Sequence, residues 1–370
     1  MKDTISTRAK AGKIAGIAAI VLNLILAALK IACGVIAGLI SLVADGINNL
    51  SDCGSGAVTL VSFRIAARPA DKEHPYGHRR AEYVASLVIS FLILFLGAEL
   101  FITSVRSVFA ENATVGSPWI YAVIGVSVAV KAGMGGGFML LSKKISSDTV
   151  RATAIDCFCD CLASIAVLIG VVIGEATGFP ADGYAGGVVA LFILWEGYRL
   201  SREAGSKLLG RAPDPAVFSQ LRTELLKEAH ILGVHDLKVY PYGPDTYFAT
   251  VHVEMDARIP SLEAHEVLDG LERSVREAFG ISLTAHLDPV DLSDGETQEL
   301  EGRIRAAAEG MVEGLNLHDF RLIRGTTKKL IFEAGIPFDC KKSDAEIAND
   351  LERFVHVLGD YEVCITVERE

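Results

Sequence analysis

The chain has 370 residues, of which 51% are hydrophobic, and its mean hydropathy of +0.37 is too high for a wholly soluble protein. Residues 1–211 hold 19 Lys and Arg against 15 Asp and Glu, whereas residues 212–370 hold 16 against 31. This uneven charge predicts a mildly basic membrane half and an acidic soluble half, and it argues against nucleic-acid binding, which needs a basic surface.

Six apolar segments of the first half are each near the length of about 20 residues that crosses a bilayer. They lie near residues 14–40, 41–65, 83–107, 118–142, 152–174 and 180–200. Sixteen Lys and Arg residues flank these segments on one side, and only Arg106 lies on the other. By the positive-inside rule we expect a multi-pass protein of the cell (inner or plasma) membrane with both termini in the cytoplasm. The first segment is too long for a signal-peptide core, so we interpret it as a retained span.

Two polar pairs interrupt the second and fifth segments, Asn48 with Asp52 and Asp156 with Asp160. The i, i+4 spacing puts both members of a pair on one helix face, with Cβ atoms about 5–6 Å apart. A charge at bilayer depth costs roughly 2.5–3.5 kcal/mol on insertion scales. Such residues are retained there mainly when something binds them, and a divalent metal ion is the favoured ligand.

The four side chains offer only hard oxygen donors, which among transition metals favours Mn²⁺ over zinc, copper or nickel. The alternative is that the aspartates pair with lysines of the spans. Lys30 and Lys131 are the only candidates, and two lysines are too few for three carboxylates plus Asp45. An empty site of three like charges favours uptake of a proton, so metal and proton compete for the same oxygens. With alternating access at the membrane midplane, this competition predicts a metal/proton antiporter.

A second candidate site lies in the loop before the third segment, where Asp71 precedes His74 and His78. A histidine pair at i, i+4 with an acid three residues earlier makes a workable transition-metal site. Proline and glycine between the histidines favour a loop or a helix entry. The alternative is that these histidines cap and pack the start of the next helix.

Three of the seven cysteines, Cys157, Cys159 and Cys161, crowd the segment that holds Asp156 and Asp160. The chain contains no C-x-x-C pair that would indicate a thiolate site or a redox motif. We interpret the three cysteines as small packing residues, with soft ligands along the metal path as the alternative.

The acidic half begins after Gly210-Arg211-Ala212-Pro213, and its patterns predict a small α+β sandwich. The predicted elements are a helix over 215–230, strands over 236–242 and 247–255, a helix over 261–279 and a strand over 281–287. Three stretches then recur: HDLKVY at 235 as HDFRLI at 318, GLERSV at 270 as DLERFV at 350, and ISLTAHLD at 281 as YEVCITVE at 361. The recurrence predicts two tandem copies of one domain, residues 212–291 and 292–370, after a membrane domain of residues 1–211.

A third candidate site falls in the first of these copies. It consists of four of the nine histidines and one acid: His235, His252, His265, His286 and Asp288. The second copy has Ala345, Thr366 and Glu368 where the first has His265, His286 and Asp288, and only His318 matches. We therefore expect the second copy to keep the fold without the site, as a scaffold or a dimer surface.

These motifs resemble those of the cation diffusion facilitator family, in the family's order, over residues 12–290. The stretches that carry the resemblance are DGINNLSDCGS at 45–55, HPYGHRRAEY at 74–83, ATAIDCFCD at 152–160, LLGRAPDP at 208–215 and AHLDP at 285–289. The resemblance implies six transmembrane helices, a cytoplasmic metallochaperone-like α+β domain, a homodimer and export of divalent metal against protons. Asn48 and Asp156, in place of the histidines usual in zinc transporters, are similar to the manganese-exporting branch. Asp71, His74 and His78 match the family's loop site, and the third candidate site matches its tail site.

The function that we expect is Mn²⁺/H⁺ antiport out of the cytoplasm, with the divalent metal as substrate and as regulator rather than as a prosthetic group. The nearest alternative is export of Zn²⁺, Fe²⁺ or Cd²⁺ by the same machinery. A membrane-anchored metal sensor, whose spans merely tether an acidic tail, is the alternative from a different class. An enzyme is not expected, because the sequence has no nucleophile elbow, phosphate loop, H-E-x-x-H or cofactor fingerprint.

Overall fold

The structure, a computed structural model, describes residues 2–37, 40–109, 118–177 and 181–369. Some side chains inside the helices, those of Asp45 and Asn48 among them, lie outside the described residues. The chain divides into two compact units, Met1–Ala212 with Pro241–Thr246, and Pro213–Tyr240 with Tyr247–Glu370. Each unit has its own fold.

The described part of the first unit is built from six long helices. They are α1 (Lys2–Ala37), α2 (Ile40–Ala66), α3 (Ala81–Phe109), α4 (Pro118–Ile145), α5 (Asp148–Thr177) and α6 (Ala181–Leu208). Each contains one of the predicted apolar segments. Helix α1 packs along α2, α3 along α6 and α4 along α5, and α5 also contacts α3 and α6. The two helices with the polar pairs, α2 and α5, thus belong to one bundle.

Small residues let α1 and α2 approach closely. A Cβ added at Gly16 would lie 2.8 Å from the Leu60 amide nitrogen, and one at Gly56 would lie 3.1 Å from the Gly16 carbonyl oxygen. Neither contact can be relieved by a side-chain rotation alone, because both involve the neighbouring backbone. Close packing through small residues is the usual way in which helices associate within a bilayer. It fixes the position of α2, the helix that contains Asn48 and Asp52.

Three helical stretches within the described residues are long and apolar enough to cross a membrane, namely Lys10–Cys33, Ala81–Arg106 and Tyr121–Ile145. Helices α2, α5 and α6 are of similar length, at 27, 30 and 28 residues. The polar pairs lie on α2 and α5, and such residues lower the hydropathy of any window that contains them. Hydropathy of the described residues therefore supports three of the six predicted spans.

The second unit begins with an α+β fold close to that predicted. It contains α7 (Pro215–Leu225), most of β1 (Ile231–Gly243) and of β2 (Thr246–Asp256), α8 (Ser261–Phe279) and β3 (Ile281–Val290), with sheet order β1-β2-β3. Helix α8 buries Ala264, Leu268, Leu271 and Val275, an i, i+3, i+4 pattern, against Val251 and Val253 of β2. Helix α7 ends at Leu225 rather than at residue 230, because residues 226–230 form turns that lead into β1.

A further set of elements follows in the same order. They are α9 (Gly295–Glu309), β4 (Asn316–Ile323), β5 (Lys329–Ile336), α10 (Asp344–Leu358) and β6 (Glu362–Arg369). The sheet has the order β4-β5-β6, with β4 antiparallel and β6 parallel to β5, just as β3 is parallel to β2. Its core is formed by Leu330, Phe332 and Ile336 of β5 against Leu351 and Val355 of α10.

Candidate metal sites

The membrane half brings two predicted ligands together around a lysine. Asp52 on α2 and Asp160 on α5 both contact Lys131 on α4, whose Nζ lies 2.7 Å from Asp52 Oδ2 and 2.6 Å from Asp160 Oδ2. All three side chains are largely buried, with 12%, 9% and 5% exposed for Asp52, Asp160 and Lys131. Carboxylates from two helices therefore lie against a single cation.

Asp156 lies one helical turn before Asp160 and is also buried. Its carboxylate accepts a hydrogen bond from the Ser55 hydroxyl of α2. Among the described residues, Asp52, Asp156 and Asp160 do not bring one carboxylate oxygen each within 4.8 Å of one another. Asn48 lies on α2 four residues before Asp52, but its side chain is outside the described residues. The four-ligand site therefore stays a prediction.

The expectation that span lysines leave these aspartates unpaired is wrong for Lys131. A sum of charges was the wrong measure, because one ammonium has three N–H donors and can bridge two carboxylates. The Nζ of Lys30 donates to Asn49 Oδ1 at 3.2 Å. The sequence did offer Lys131 as a candidate partner, because it is a lysine within an apolar segment, but it could not show that α4 brings this lysine between α2 and α5.

Helices α2 and α5 are also joined by hydroxyls one turn or more beyond the carboxylates. Thr59 Oγ1 and Thr153 Oγ1 are 2.8 Å apart, and both residues are buried. Each hydroxyl also lies near a carbonyl of its own helix, Ser55 O for Thr59 and Thr149 O for Thr153. This contact holds the faces that carry Asp52 and Asp156 toward each other.

The cysteines of α5 pack as small apolar residues. Cys157 lies in a buried cluster with Phe63 and Met134, and Cys159 lies in another with Ile89 and Ile193. The Sγ of Cys161 is 3.6 Å from the Val128 carbonyl oxygen. These contacts agree with the interpretation of the cysteines as packing residues.

The loop between α2 and α3 brings Asp71, His74 and His78 together. Asp71 Oδ1 is 3.5 Å from His74 Nδ1, and Asp71 Oδ2 is 3.4 Å from His78 Nε2, with one ligand atom of each residue within 4.8 Å of the others. Asp71 Oδ1 also accepts hydrogen bonds from the His74 and Glu73 amides, which lower the pKa of this carboxyl. The residues are therefore both a turn and a set of donors that fits a transition metal.

The first sheet of the tail brings His235, His252 and Asp288 together from three adjacent strands. Asp288 Oδ2 lies 2.9 Å from His252 Nδ1 and 3.0 Å from His235 Nε2. Val251 and Val253 bury the opposite face of β2, so the alternation of a strand puts His252 on the face away from α8. Burial alone would raise the pKa of the Asp288 carboxyl, but the two imidazoles outweigh burial and lower it.

The hydrogen bonds within this trio are incomplete, and its donor atoms could hold a metal ion. Neither ring nitrogen of the buried His235 makes a hydrogen bond of normal geometry, although Asp288 lies close to it. Two imidazoles and one carboxylate are a donor set that suits zinc. His286, paired with His252 across β2 and β3, reaches Asp288 Oδ1 at 3.5 Å and lies at the edge of the trio. His265 lies on the exposed face of α8, outside the trio.

Comparison with known proteins agrees with this layout. Residues 16–209 match the cation efflux transmembrane domain, and residues 213–290 match the cation efflux protein cytoplasmic domain. An uncharacterized transporter of Methanocaldococcus jannaschii is 31% identical over 283 residues, which cover 74% of this chain and 97% of that protein. The chain belongs to the cation diffusion facilitator family.

Two further relatives have descriptive names. The manganese efflux system protein MneS of Bacillus subtilis is 27% identical over 286 residues, which cover 76% of this chain and 97% of that protein. The cation-efflux pump FieF of Salmonella typhi is 28% identical over 270 residues, with 71% and 88% covered. Membership of the cation diffusion facilitator family makes this chain a membrane-located cation efflux transporter and confirms the predicted class of protein.

Proposed function

We propose that this cation diffusion facilitator exports Mn²⁺ from the cytoplasm in exchange for protons, at a site formed by Asn48, Asp52, Asp156 and Asp160. The observation that carries the proposal is that Asp52 and Asp160 lie, buried and on different helices, against one cation. A carboxylate inside a bilayer is retained where a cation compensates its charge. Two carboxylates that contact one cation in this way can also bind a divalent metal ion at the same position.

The preference for manganese rests on the donor atoms. Carboxylate and amide oxygens suit Mn²⁺ better than the softer transition metals. The manganese efflux system protein MneS and the cation-efflux pump FieF have almost the same identity to this chain, 27% and 28%, so similarity alone does not select the metal. In this proposal the preference for Mn²⁺ therefore rests on the oxygen-only donor set.

Lys131 supplies the resting state of the transport cycle in this proposal. Its ammonium compensates Asp52 and Asp160 while no metal is bound, because carboxylates buried without a counter-ion are strongly unfavourable. A divalent cation that reaches the same oxygens brings twice the charge and repels the ammonium. After the metal leaves on the far side, protons and the ammonium compensate the carboxylates again. Alternating access of the bundle around the site completes the cycle.

The same proposal assigns the arrangement in the membrane. Helices α1 to α6 cross the lipid bilayer, and the basic flanking residues keep both termini and the tail in the cytoplasm. The membrane domain covers residues 1–211, the first tail domain 212–291, and a second copy of it 292–370, since both have the same order of helices and strands. The match to the cytoplasmic domain of cation efflux proteins supports a homodimer.

In this proposal, the loop trio Asp71, His74 and His78 and the tail trio His235, His252 and Asp288 bind metal from the cytoplasm. His286, 3.5 Å from Asp288, completes the tail set if its side chain turns toward the metal, whereas His265 lies on α8, on the other side of the sheet. Metal in the tail would remove net negative charge from an acidic domain and so regulate the access state of the membrane helices.

Zinc is the second candidate substrate, and one observation favours it. In the tail trio, two imidazole nitrogens lie 3.0 Å or less from one oxygen of the Asp288 carboxylate. Two imidazoles and one carboxylate are a donor set that suits zinc. If the tail senses the ion that the membrane site transports, this donor set argues for Zn²⁺ export. Fe²⁺ and Cd²⁺ are further candidate substrates of the same machinery.

The test is uptake of each metal by proteoliposomes that contain the full chain, with and without a proton gradient. We expect Mn²⁺ uptake that depends on the gradient, and we expect Asp52→Ala and Asp156→Ala each to abolish it. Glu99→Gln is the matched control, because Glu99 is an acid on α3 with an exposed side chain. Transport that survives in both aspartate variants would contradict the proposal and favour a sensor whose spans only anchor it.

A further inference from the structure

The two α+β folds of the tail pack through equivalent residues. His235 of β1 and His318 of β4 each precede an aspartate with positive φ, Asp236 at 50° and Asp319 at 49°. The rings of His235 and His318 stack, with centroids 4.2 Å apart and planes 25° apart. Contact between equivalent residues is the mark of an isologous interface. The second fold thus covers the first as a second subunit would, within one chain.

Strand register identifies what the second fold has in place of the histidine trio. Across β2 and β3, His252 pairs with His286 and Glu254 pairs with Asp288. Across β5 and β6, Glu333 pairs with Thr366 and Gly335 pairs with Glu368. Glu333 therefore occupies the position of His252, and Glu368 that of Asp288. The second fold therefore has carboxylates where the first has an imidazole and an aspartate, so the histidine trio itself is not repeated.

A third carboxylate joins Glu333 and Glu368 from the first fold. One oxygen each of Asp236, Glu333 and Glu368 lie within 4.8 Å of one another. Asp236 of the first fold, the counterpart of Asp319, thus contributes an oxygen to a group otherwise formed by the second fold. Its backbone has the left-handed conformation that Asp and Asn tolerate. This acidic trio, defined by Asp236, Glu333 and Glu368, joins three strands of the two folds.

The trio contains a buried oxygen that is not satisfied by the protein. Only 7% of the Asp236 side chain is exposed, and its Oδ1 accepts no hydrogen bond. The nearest described ammonium, that of Lys238, lies 3.9 Å from Oδ1 and donates instead to Glu368 Oε2 at 3.0 Å. Burial raises the pKa of the Glu333 carboxyl; the neighbouring His318 opposes this, and nearby carboxylates, Asp236 and Glu368 among them, raise it further. Beside the three carboxylates lie one partly exposed lysine and His318, whose Nδ1 is 3.5 Å from Glu333 Oε2, so even a charged imidazole leaves one negative charge in excess.

We propose that Asp236, Glu333 and Glu368 bind one hard divalent cation, such as Mn²⁺, which fastens the second α+β fold of the tail onto the first. Carboxylate oxygens alone select manganese, magnesium or calcium rather than zinc. The cation displaces the Lys238 ammonium from Glu368 and supplies a ligand partner for Asp236 Oδ1. The tail then has two cation sites of different chemistry, the histidine trio for a softer ion and the acidic trio for a harder one.

The test counts Mn²⁺ ions bound per purified full-length chain by equilibrium dialysis and metal analysis. Glu333→Gln and Glu368→Gln should each bind one Mn²⁺ fewer than wild type, and Asp236→Asn, which keeps the backbone conformation, should do the same. Glu362→Gln is the matched control, because Glu362 lies at the other end of β6 and pairs with Lys329. The same number of ions in wild type and in all three variants would overturn the proposal.

A second variant tests the site by a gain rather than a loss. Lys238→Met removes the competing ammonium and should tighten Mn²⁺ binding at this site, whereas weaker binding would contradict the proposed displacement. The proposal is independent of which metal is transported. Transport assayed on the same preparations separates the two, because loss of this ion alone should not prevent gradient-driven uptake through Asp52 and Asp160.

Discussion

The Lys131 ammonium lies 2.6 Å from the Asp160 carboxylate inside the helical bundle, and the same nitrogen lies 2.7 Å from Asp52. Helix α4 thus contributes the cation, and α2 and α5 contribute the anions. A site for a divalent metal is usually described by its ligands alone. In the site that we propose, Asp52 and Asp160 already contact a tethered monovalent cation, so we expect metal binding there to be an exchange of cations.

This exchange gives the first prediction, for Lys131→Met. Without the competing ammonium, Mn²⁺ should bind the membrane site at least tenfold more tightly, which is about 1.4 kcal/mol. The metal-free variant should also be less stable, by about 3–5 kcal/mol, because two buried carboxylates lose their partner. Titration of Mn²⁺ and thermal unfolding with and without metal measure both effects.

The control for this prediction is Lys30→Met. Lys30 is the other buried lysine of the spans, and its Nζ donates to Asn49 Oδ1. Its replacement should leave Mn²⁺ affinity unchanged. Weaker Mn²⁺ binding in Lys131→Met would show that the lysine holds the ligands in place instead of competing with the metal.

The second prediction concerns the choice of metal. Asn48→His replaces the amide of the predicted ligand set with an imidazole, which favours zinc. The ratio of Zn²⁺ to Mn²⁺ transport should rise by about tenfold or more, measured as initial rates in proteoliposomes. Asn49→His is the matched control, because Asn49 accepts from Lys30 and is not in the ligand set. An unchanged ratio in Asn48→His would exclude donor chemistry as the source of selectivity.

Much of the fold follows from local patterns. Helix α8 was predicted at the residues where it is found, since its apolar spacing and the following Gly280, with φ of 70°, mark both its face and its end. The end of α7 was predicted five residues too late, because no glycine or proline follows Leu225 and the turn there depends on the packing of Ile231 in the sheet. Patterns of charge and apolarity reveal elements, but they do not reveal contacts that end them.

The sites show the same limit. The loop and tail trios follow from histidine and acid types in one region, and the structure brings most of those residues together. The contacts of Lys131 depend on which helices are neighbours, which no single helix pattern contains. Glu333 escaped notice because its offset from His252 is 81 residues, whereas the offsets of the other repeated stretches are 83 and 80. Register in a sheet, rather than sequence, makes the two positions equivalent.

The third prediction separates the members of the tail site. His252→Ala should weaken Zn²⁺ binding to the tail by at least about tenfold, or 1.4 kcal/mol, because His252 contacts Asp288 at 2.9 Å inside the trio. His265→Ala should leave this binding unchanged, since His265 lies outside the trio on the exposed face of α8. Calorimetric titration of both variants with Zn²⁺ is the measurement. Equal losses in the two variants would contradict the assignment of the tail Zn²⁺ site to this trio.

The fourth prediction concerns the contact that joins the two ligand-bearing helices. Thr153→Val keeps the shape of the side chain but removes its hydroxyl, so the 2.8 Å contact with Thr59 is lost. Thr59 still has the Ser55 carbonyl as a partner and is not left unsatisfied. Hydrogen bonds between membrane helices contribute about 0.6 kcal/mol on average and at most about 1.7 kcal/mol. We therefore expect a loss of about 1 kcal/mol in the free energy of unfolding, measured in detergent, with metal preference unchanged.

Thr103→Val, at an exposed position of α3, is the control and should be neutral. A changed metal preference in Thr153→Val would show that the threonine pair sets the distance between α2 and α5 at the site itself.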